Sequence, residues 1–250
     1  MFTDTHCHFE KQYYDNYNEV FQNAFNNNVS RFIACGCSKD ANAEAINLSN
    51  NNDFVYTTIG FHPDQANFYT DKDLEELKKL IITNKKVIGI GEIGLDYHYD
   101  GYDKDKQITL FEKQLKIAEE LKLPVVIHSR DATQNTIDIL KKYNVKGVIH
   151  SFSGSFEVAK IYISMGFKLG VNGVVTFKNS NLSDTLSKLD ISNLVLETDS
   201  PYLTPEPFRG QKNESKNILY IAKKISEIYN IDLEKVSEIT NKNIKEIFDI

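Results

Sequence analysis

The chain has no tryptophan, two methionines, five prolines and three cysteines in 250 residues. Three cysteines cannot staple a chain of this size, and nothing resembles a secretory signal. The expectation is a reducing compartment, the cytoplasm. Long hydrophobic runs are also missing. Val87–Ile93 and Val125–Ile127 fall far short of a bilayer span, so no membrane role is expected. Basic charge is not in excess: the net charge of −6 argues against a protein that coats DNA. It leaves open an enzyme that meets nucleic acid through bound metal ions. Arginine is scarce, three residues against a background of lysine, which makes Arg31, Arg130 and Arg209 informative. A planar guanidinium is hard to replace only where its fork is used.

The hydrophobic share, 41%, is too high for a disordered chain. Its order along the chain is regular. Short apolar runs recur at Met1–His8, Arg31–Gly36, Phe54–Gly60, Val87–Gly91, Val125–His128, Gly147–Ser151, Phe167–Val171 and Leu194–Thr198. Helix-like segments lie between them. Lys104–Leu121 carries Ile108, Phe111, Leu115, Ala118 and Leu121 at helical spacing. Lys72–Ile82, Ala132–Tyr143 and Ser155–Met165 behave alike, and a tail adds Ile218–Tyr229 and Leu233–Phe248. Eight strand–helix steps of roughly thirty residues match one α/β domain, a (β/α)8 barrel over residues 1–250 with extra C-terminal helices. The strands are nearly continuously apolar, as parallel strands buried on both faces should be. A doubly wound open sheet is the rival, weakened by the lack of G-x-G-x-x-G after the first strand.

The six histidines are not scattered. His6, His8, His128 and His150 end predicted strands 1, 5 and 6; His62 follows strand 3; only His98 lies inside a loop. The C-terminal strand ends of such a barrel form its active face. His6 and His8 share one side of a strand, a common start to a metal site, though H-x-H alone is a weak signal. Glu92 ends strand 4 between glycines, where it is either an exposed junction residue or a carboxylate bridging two cations. Asp199 ends strand 8 with Pro201 and Pro205 following, so it does not cap a helix. It reads as metal ligand and general base, with Glu197 one layer deeper as an acceptor that holds a ligand histidine. Four histidines, one Glu and one Asp, without cysteine, suit two divalent cations: Zn²⁺, Mn²⁺, Mg²⁺ or Fe²⁺. Such a pair would activate water in metal-assisted hydrolysis.

These residues sit in recognisable segments. Asp4-Thr5-His6-Cys7-His8, Gly60-Phe61-His62-Pro63, Gly91-Glu92-Ile93-Gly94-Leu95-Asp96, His128-Ser129-Arg130-Asp131-Ala132, His150-Ser151-Phe152-Ser153-Gly154 and Glu197-Thr198-Asp199-Ser200-Pro201-Tyr202-Leu203 resemble, in order, the TatD family of metal-dependent deoxyribonucleases. That family lies within the amidohydrolase-like barrels. The resemblance runs from residue 4 to about 217. It implies that His6, His8, Glu92 and Asp199 hold one metal and that Glu92, His128 and His150 hold the other. It further implies that Asp199 takes a proton from the attacking water. The activity it implies is DNA phosphodiester hydrolysis, including 3′→5′ exonuclease action on single-stranded ends. Arg209-Gly210-Gln211-Lys212-Asn213-Glu214 resembles the family's Arg-Gly-x-x-Asn-Glu loop. Ser215 stands where many members have proline, so a looser loop is expected.

The lesser residues read two ways. Arg130 and Arg209 either contact phosphate or order loops, Arg130 by pairing with Asp131 or Glu214. His62 is a pocket or a turn histidine. Ser151–Gly154, including Ser153, either opens a helix whose amides cradle phosphate or is a Ser-capped turn. Tyr97-His98-Tyr99-Asp100-Gly101-Tyr102 either stacks on unpaired bases or packs as a lid. Cys7, Cys35 and Cys37 read as thiols. The expected partner is single-stranded DNA, with the chain a monomer. The alternatives are a barrel hydrolase of another ester or amide, and a catalytically silent DNA-binding barrel.

Overall fold

The computed structural model describes residues 1–250. Eight parallel strands, β1 (Phe2–Cys7), β2 (Val29–Cys35), β3 (Val55–Ile59), β4 (Val87–Asp96), β5 (Val125–Arg130), β6 (Gly147–Ile149), β7 (Phe167–Val171) and β8 (Leu194–Leu196), pair in sequence order. A bridge between Cys7 and Ser200 brings the last unit back against the first. The helices are α1 (Tyr17–Phe25), α2 (Lys39–Asn51), α3 (Asp71–Thr83), α4 (Lys104–Leu121), α5 (Thr133–Leu140), α6 (Phe156–Ser164), α7 (Leu182–Leu186), α8 (Ile218–Tyr229) and α9 (Leu233–Phe248). The chain is thus a single-domain (β/α)8 barrel, and no helix is long and apolar enough to cross a membrane.

Local chemistry sets the helix starts. Asn16, Ser38, Asp103, Ser155 and Asp232 each accept from an amide of the first turn, satisfying donors the helix cannot. On α4, Leu110, Phe111, Leu115 and Ala118 are buried at helical spacing and fix its inner face. The strands are buried on both sides, in keeping with their unbroken apolar character.

Several boundaries differ from the sequence-based expectation. β4 and β5 run on to Asp96 and Arg130, while β6 and β8 stop at Ile149 and Leu196. His150 and Asp199 therefore stand in loops just past their strands. Residues 151–154 do not open a helix; α6 starts at Phe156 under its Ser155 cap. Of the two tail helices, α8 is the eighth barrel helix and only α9 is extra. α9 closes the N-terminal end: Ile244, Ile247 and Phe248 pack on Ile33, Val126, Val148 and Val195 from inside the barrel. The opposite, C-terminal end is left to the loops that carry the histidines.

Candidate metal centre

Alternation along β1 puts Asp4, His6 and His8 on one side, in ascending layers. At the top, His6 Nε2 lies 3.2 Å from His8 Nε2. Asp199 Oδ1 stands 3.4 Å from His8 Nε2, 3.6 Å from His150 Nε2 and 3.7 Å from His6 Nε2. Glu92 divides its two oxygens. Oε2 is 3.5 Å from His6 Nε2 and 4.0 Å from His8 Nε2; Oε1 is 2.8 Å from His128 Nδ1 and 3.8 Å from His150 Nε2. The six residues expected as ligands thus converge on one spot, from β1, β4, β5 and the ends of β6 and β8. His6 and His150 stack face to face at 3.6 Å. His6, His8, Glu92 and His150 are buried, while Asp199 and His128 keep a solvent edge.

The donor set fits divalent cations. Burial resists ionisation of Glu92 and Asp199, yet the surrounding histidines hold both carboxyls below their ordinary range, so both are anionic. Burial and His150 lower His6, which favours its neutral form. Burial opposes charge on His150, but Glu197, Asp199 and Glu92 push it up to about 10. Burial likewise opposes charge on His128, and Asp96 and Glu92 push it up to about 9. Buried imidazole nitrogens and anionic oxygens within 4 Å of one another call for positive charge, from protons or from metal.

Around the centre, Glu197 is fully buried with Oε1 2.9 Å from His150 Nδ1, but the two are not aligned as a hydrogen bond. That oxygen instead accepts the Ser151 amide at 2.6 Å. Glu197 is adjacent to the ligand histidine, as its parity predicts, and acts on it through charge. Gly170 leaves the room Glu197 occupies, since a Cβ there would collide with its carboxylate. Two further carboxylates have no role assigned from sequence. Asp96 Oδ2 lies 3.0 Å from His128 Nε2, on the same strand face as Glu92. Asp4 accepts from Thr198 Oγ1 and Thr198 N at 2.6 and 2.9 Å, tying β1 to the loop that bears Asp199. Burial raises its carboxyl to about 7. The i, i+2 spacing of Asp4 from His6, and the i+4 spacing of Asp96 from Glu92, were the available signals.

The rim residues fall into place unevenly. His62 packs edge-on to His128 at 4.5 Å and holds Asp64 at 3.1 Å, so it is at once a pocket wall and a turn residue. Arg130 pairs with neither Asp131 nor Glu214. It donates to Tyr99 Oη at 3.1 Å and lies over that ring, while Asp131 binds His98 Nδ1 at 2.8 Å. Arg209 lies 3.7 Å over the Phe177 ring. Ser153 is exposed in the loop before α6. The Ser151 and Phe152 amides are already taken, by Glu197 and by the Gly170 carbonyl, so they cannot cradle an anion. Ser215 is fully buried in the turn after Asn213, which latches the Asp199 loop by donating to the Thr198 and Tyr202 carbonyls.

Comparison with known proteins agrees with this geometry. The family model described as TatD related DNase matches residues 3–249. The chain is 39% identical to the uncharacterised metal-dependent hydrolase YabD of Bacillus subtilis, with all of both chains covered. It is 30% identical to the uncharacterised metal-dependent hydrolase YjjV of Escherichia coli, covering 100% of this chain and 98% of that one. The crystal structure of YjjV, a TatD homologue, superposes with a TM-score of 0.95 over 100% of this chain and 98% of that chain, at 29% identity. A TatD family hydrolase from Entamoeba histolytica follows at 0.88 and 27%, covering 99% and 97%.

Proposed function

Because this chain belongs to the TatD-related DNase family and is a metal-dependent hydrolase, we propose that it cleaves DNA phosphodiester bonds. It works on single-stranded ends in the 3′→5′ direction, as a monomer in the cytoplasm, with two divalent cations. The observation that carries the two-cation reading is the divided Glu92 carboxylate, one oxygen toward His6 and His8 and the other toward His128 and His150. His6, His8, Glu92 and Asp199 would hold one cation, and Glu92, His128 and His150 the other. Bound there, the cations would supply Lewis acidity toward a phosphoryl oxygen and a lowered pKa for water. The histidine-rich donor set favours zinc, manganese or iron over magnesium, whose sites are built from oxygen.

Asp199 is the general base in this reading. It is anionic, central to the cluster, and keeps 13% of its side chain open to solvent, so a proton it accepts can leave. Glu92, the other carboxylate expected to act in catalysis, has both oxygens against imidazoles and is buried, so its part in this reading is to hold the cations. Asp199 also holds a left-handed backbone, φ +55°, fixed by the hydrogen bond its amide N–H donates to the His6 carbonyl at 2.9 Å. Such a conformation is costly for a non-glycine residue, and here it turns the carboxylate back over the histidines. His62, Arg130, Ser153 and Arg209 are proposed to meet the strand at the mouth.

The test is hydrolysis of end-labelled single-stranded DNA by the pure protein with Mn²⁺, Mg²⁺, Zn²⁺ or Fe²⁺, against an EDTA control and a panel of simple esters. Metal-dependent shortening from the 3′ end is expected. Ester turnover without DNA cleavage under any metal would overturn the reading.

A further inference from the structure

We propose that the mouth of the barrel grips unpaired nucleobases on two aromatic faces, Tyr202 beside the metal centre and Tyr99 across from it, an inference that rests on the nuclease reading. The two rings stand on opposite sides. Tyr202 belongs to the loop after β8, where β8 meets β1; Tyr99 follows β4, beside the end of β5. In a ring of eight strands in sequence order, those two seams face each other, with the histidine–carboxylate cluster between them.

Both rings are held yet open. Tyr202 is 47% exposed, and its ring meets His8 edge-on at 6.1 Å. Its hydroxyl shares a 2.5 Å hydrogen bond with the Tyr13 hydroxyl, its amide donates to the Asp199 carbonyl, and its carbonyl accepts from Asn213. A large apolar face fixed at so many points costs little further entropy on binding. Tyr99 is 66% exposed and carries the Arg130 guanidinium on its ring and hydroxyl.

Charge at the mouth points to the same ligand. Lys39, at the start of α2, is paired with Asp73, and Lys212 gives a hydrogen bond to the Tyr13 carbonyl. Arg130 and Arg209 pair with no carboxylate and rest on ring faces; Arg130 gives one N–H to Tyr99 Oη, and the remaining guanidinium donors are open to an anion. A lone phosphate or a single aryl ester would need one fork and one ring. Forks and rings on both sides of the centre suit an extended polymer that alternates anion and aromatic plane. A duplex covers its base faces by its own stacking, so the strand must be single.

The experiment compares two labelled oligonucleotides with the Mn²⁺-loaded protein, one with thymine at its 3′-terminal positions and one with abasic residues there. The expected kcat/KM favours the base-bearing end by about tenfold or more. Tyr202→Leu brings that ratio toward one, and Tyr202→Phe keeps it, because the ring and not the hydroxyl stacks. Tyr99→Leu, in an exposed loop that tolerates change, raises KM more than it lowers kcat. Binding of the same strands is read by fluorescence anisotropy, with Ca²⁺ in place of Mn²⁺ to hold back turnover. Equal cleavage of both ends, or a Tyr202→Phe variant as indifferent as Tyr202→Leu, overturns the clamp and leaves the nuclease. Base-selective, Tyr202-dependent binding without cleavage keeps the clamp and overturns the nuclease. Neither cleavage nor base-selective binding overturns both.

Discussion

A single carboxylate organises the site. With its two oxygens turned to different pairs of imidazoles, Glu92 is the residue both cations would share, and no neighbour can replace it. Glu92→Gln should therefore bind at most one ion per chain and lose nuclease activity while circular dichroism stays unchanged; two bound ions by elemental analysis would refute the bridge. Asp96 acts one step away: its Oδ2 accepts from His128 Nε2 at 3.0 Å, which turns Nδ1 toward Glu92 Oε1. Asp96→Asn should weaken metal affinity or activity by about 10–100-fold, the usual effect of losing such a partner. The ligands were legible in the sequence because strand parity and strand ends locate them. Asp96 and Asp4 had equally good parity, but residue type alone does not say whether a carboxylate faces a metal, an imidazole or a threonine. The protonation of His128 and His150 makes a further prediction. Their values in the fold, about 9 and about 10, lie above the ordinary value near 6.5. In metal-free protein their contribution is fully present below about pH 6.5 and is lost as pH rises through those values. Metal competes with the same protons, so its affinity should rise with pH. The Tm of the metal-free protein should fall between pH 7 and 10 more than that of the loaded protein; equal falls would show that these two histidines do not hold the protons.

At the scale of elements, the two ends of the barrel divide the work. The C-terminal end keeps polar groups buried at the expense of stability, and the N-terminal end supplies apolar packing. There α9 presses Phe248 into the barrel beside Gly89. Phe248→Ala should cost about 3 kcal/mol or more, a Tm drop of roughly 10 °C for a chain this long. Activity per folded molecule should not change, since α9 is far from the cluster; a matching loss of kcat would mean that the plug positions the histidines. The long helices were legible: α4, α8 and α9 carry an unbroken apolar stripe at helical spacing, and their observed bounds match the expected ones. Strand ends were less so. β4 continues past Glu92 because Gly94, at φ +148°, lets β5 come so close that a Cβ there would strike the His128 carbonyl. That close approach depends on the partner strand, which local sequence does not contain. Of the two readings of the loop at 151–154, the sequence does not choose the turn over the helix opening, for a similar reason. Ser151 takes a left-handed turn because Glu197, 46 positions on, captures its amide.

For the whole molecule, the net charge of −6 and the scarcity of arginine bear on how the proposed DNA substrate would be held. Cations at the centre would make the pocket positive while the surface stays acidic, so attraction is confined to the mouth. Only Arg130 and Arg209 stand there with unpaired guanidinium groups. Each phosphate that a side chain neutralises on a single strand adds about −0.7 to the slope of log affinity against log salt. Two such contacts predict a slope of roughly −1.4, shallow for a DNA-binding protein. The measurement is strand affinity by anisotropy across a salt series at saturating divalent metal. Arg130→Gln and Arg209→Gln should each flatten the slope by about 0.7 and weaken binding alike for every sequence. A wild-type slope several-fold steeper would mean that lysines add to the two arginines in carrying the strand. In that case the acidic surface would hide a basic track, and the enzyme would hold the body of the strand instead of its end.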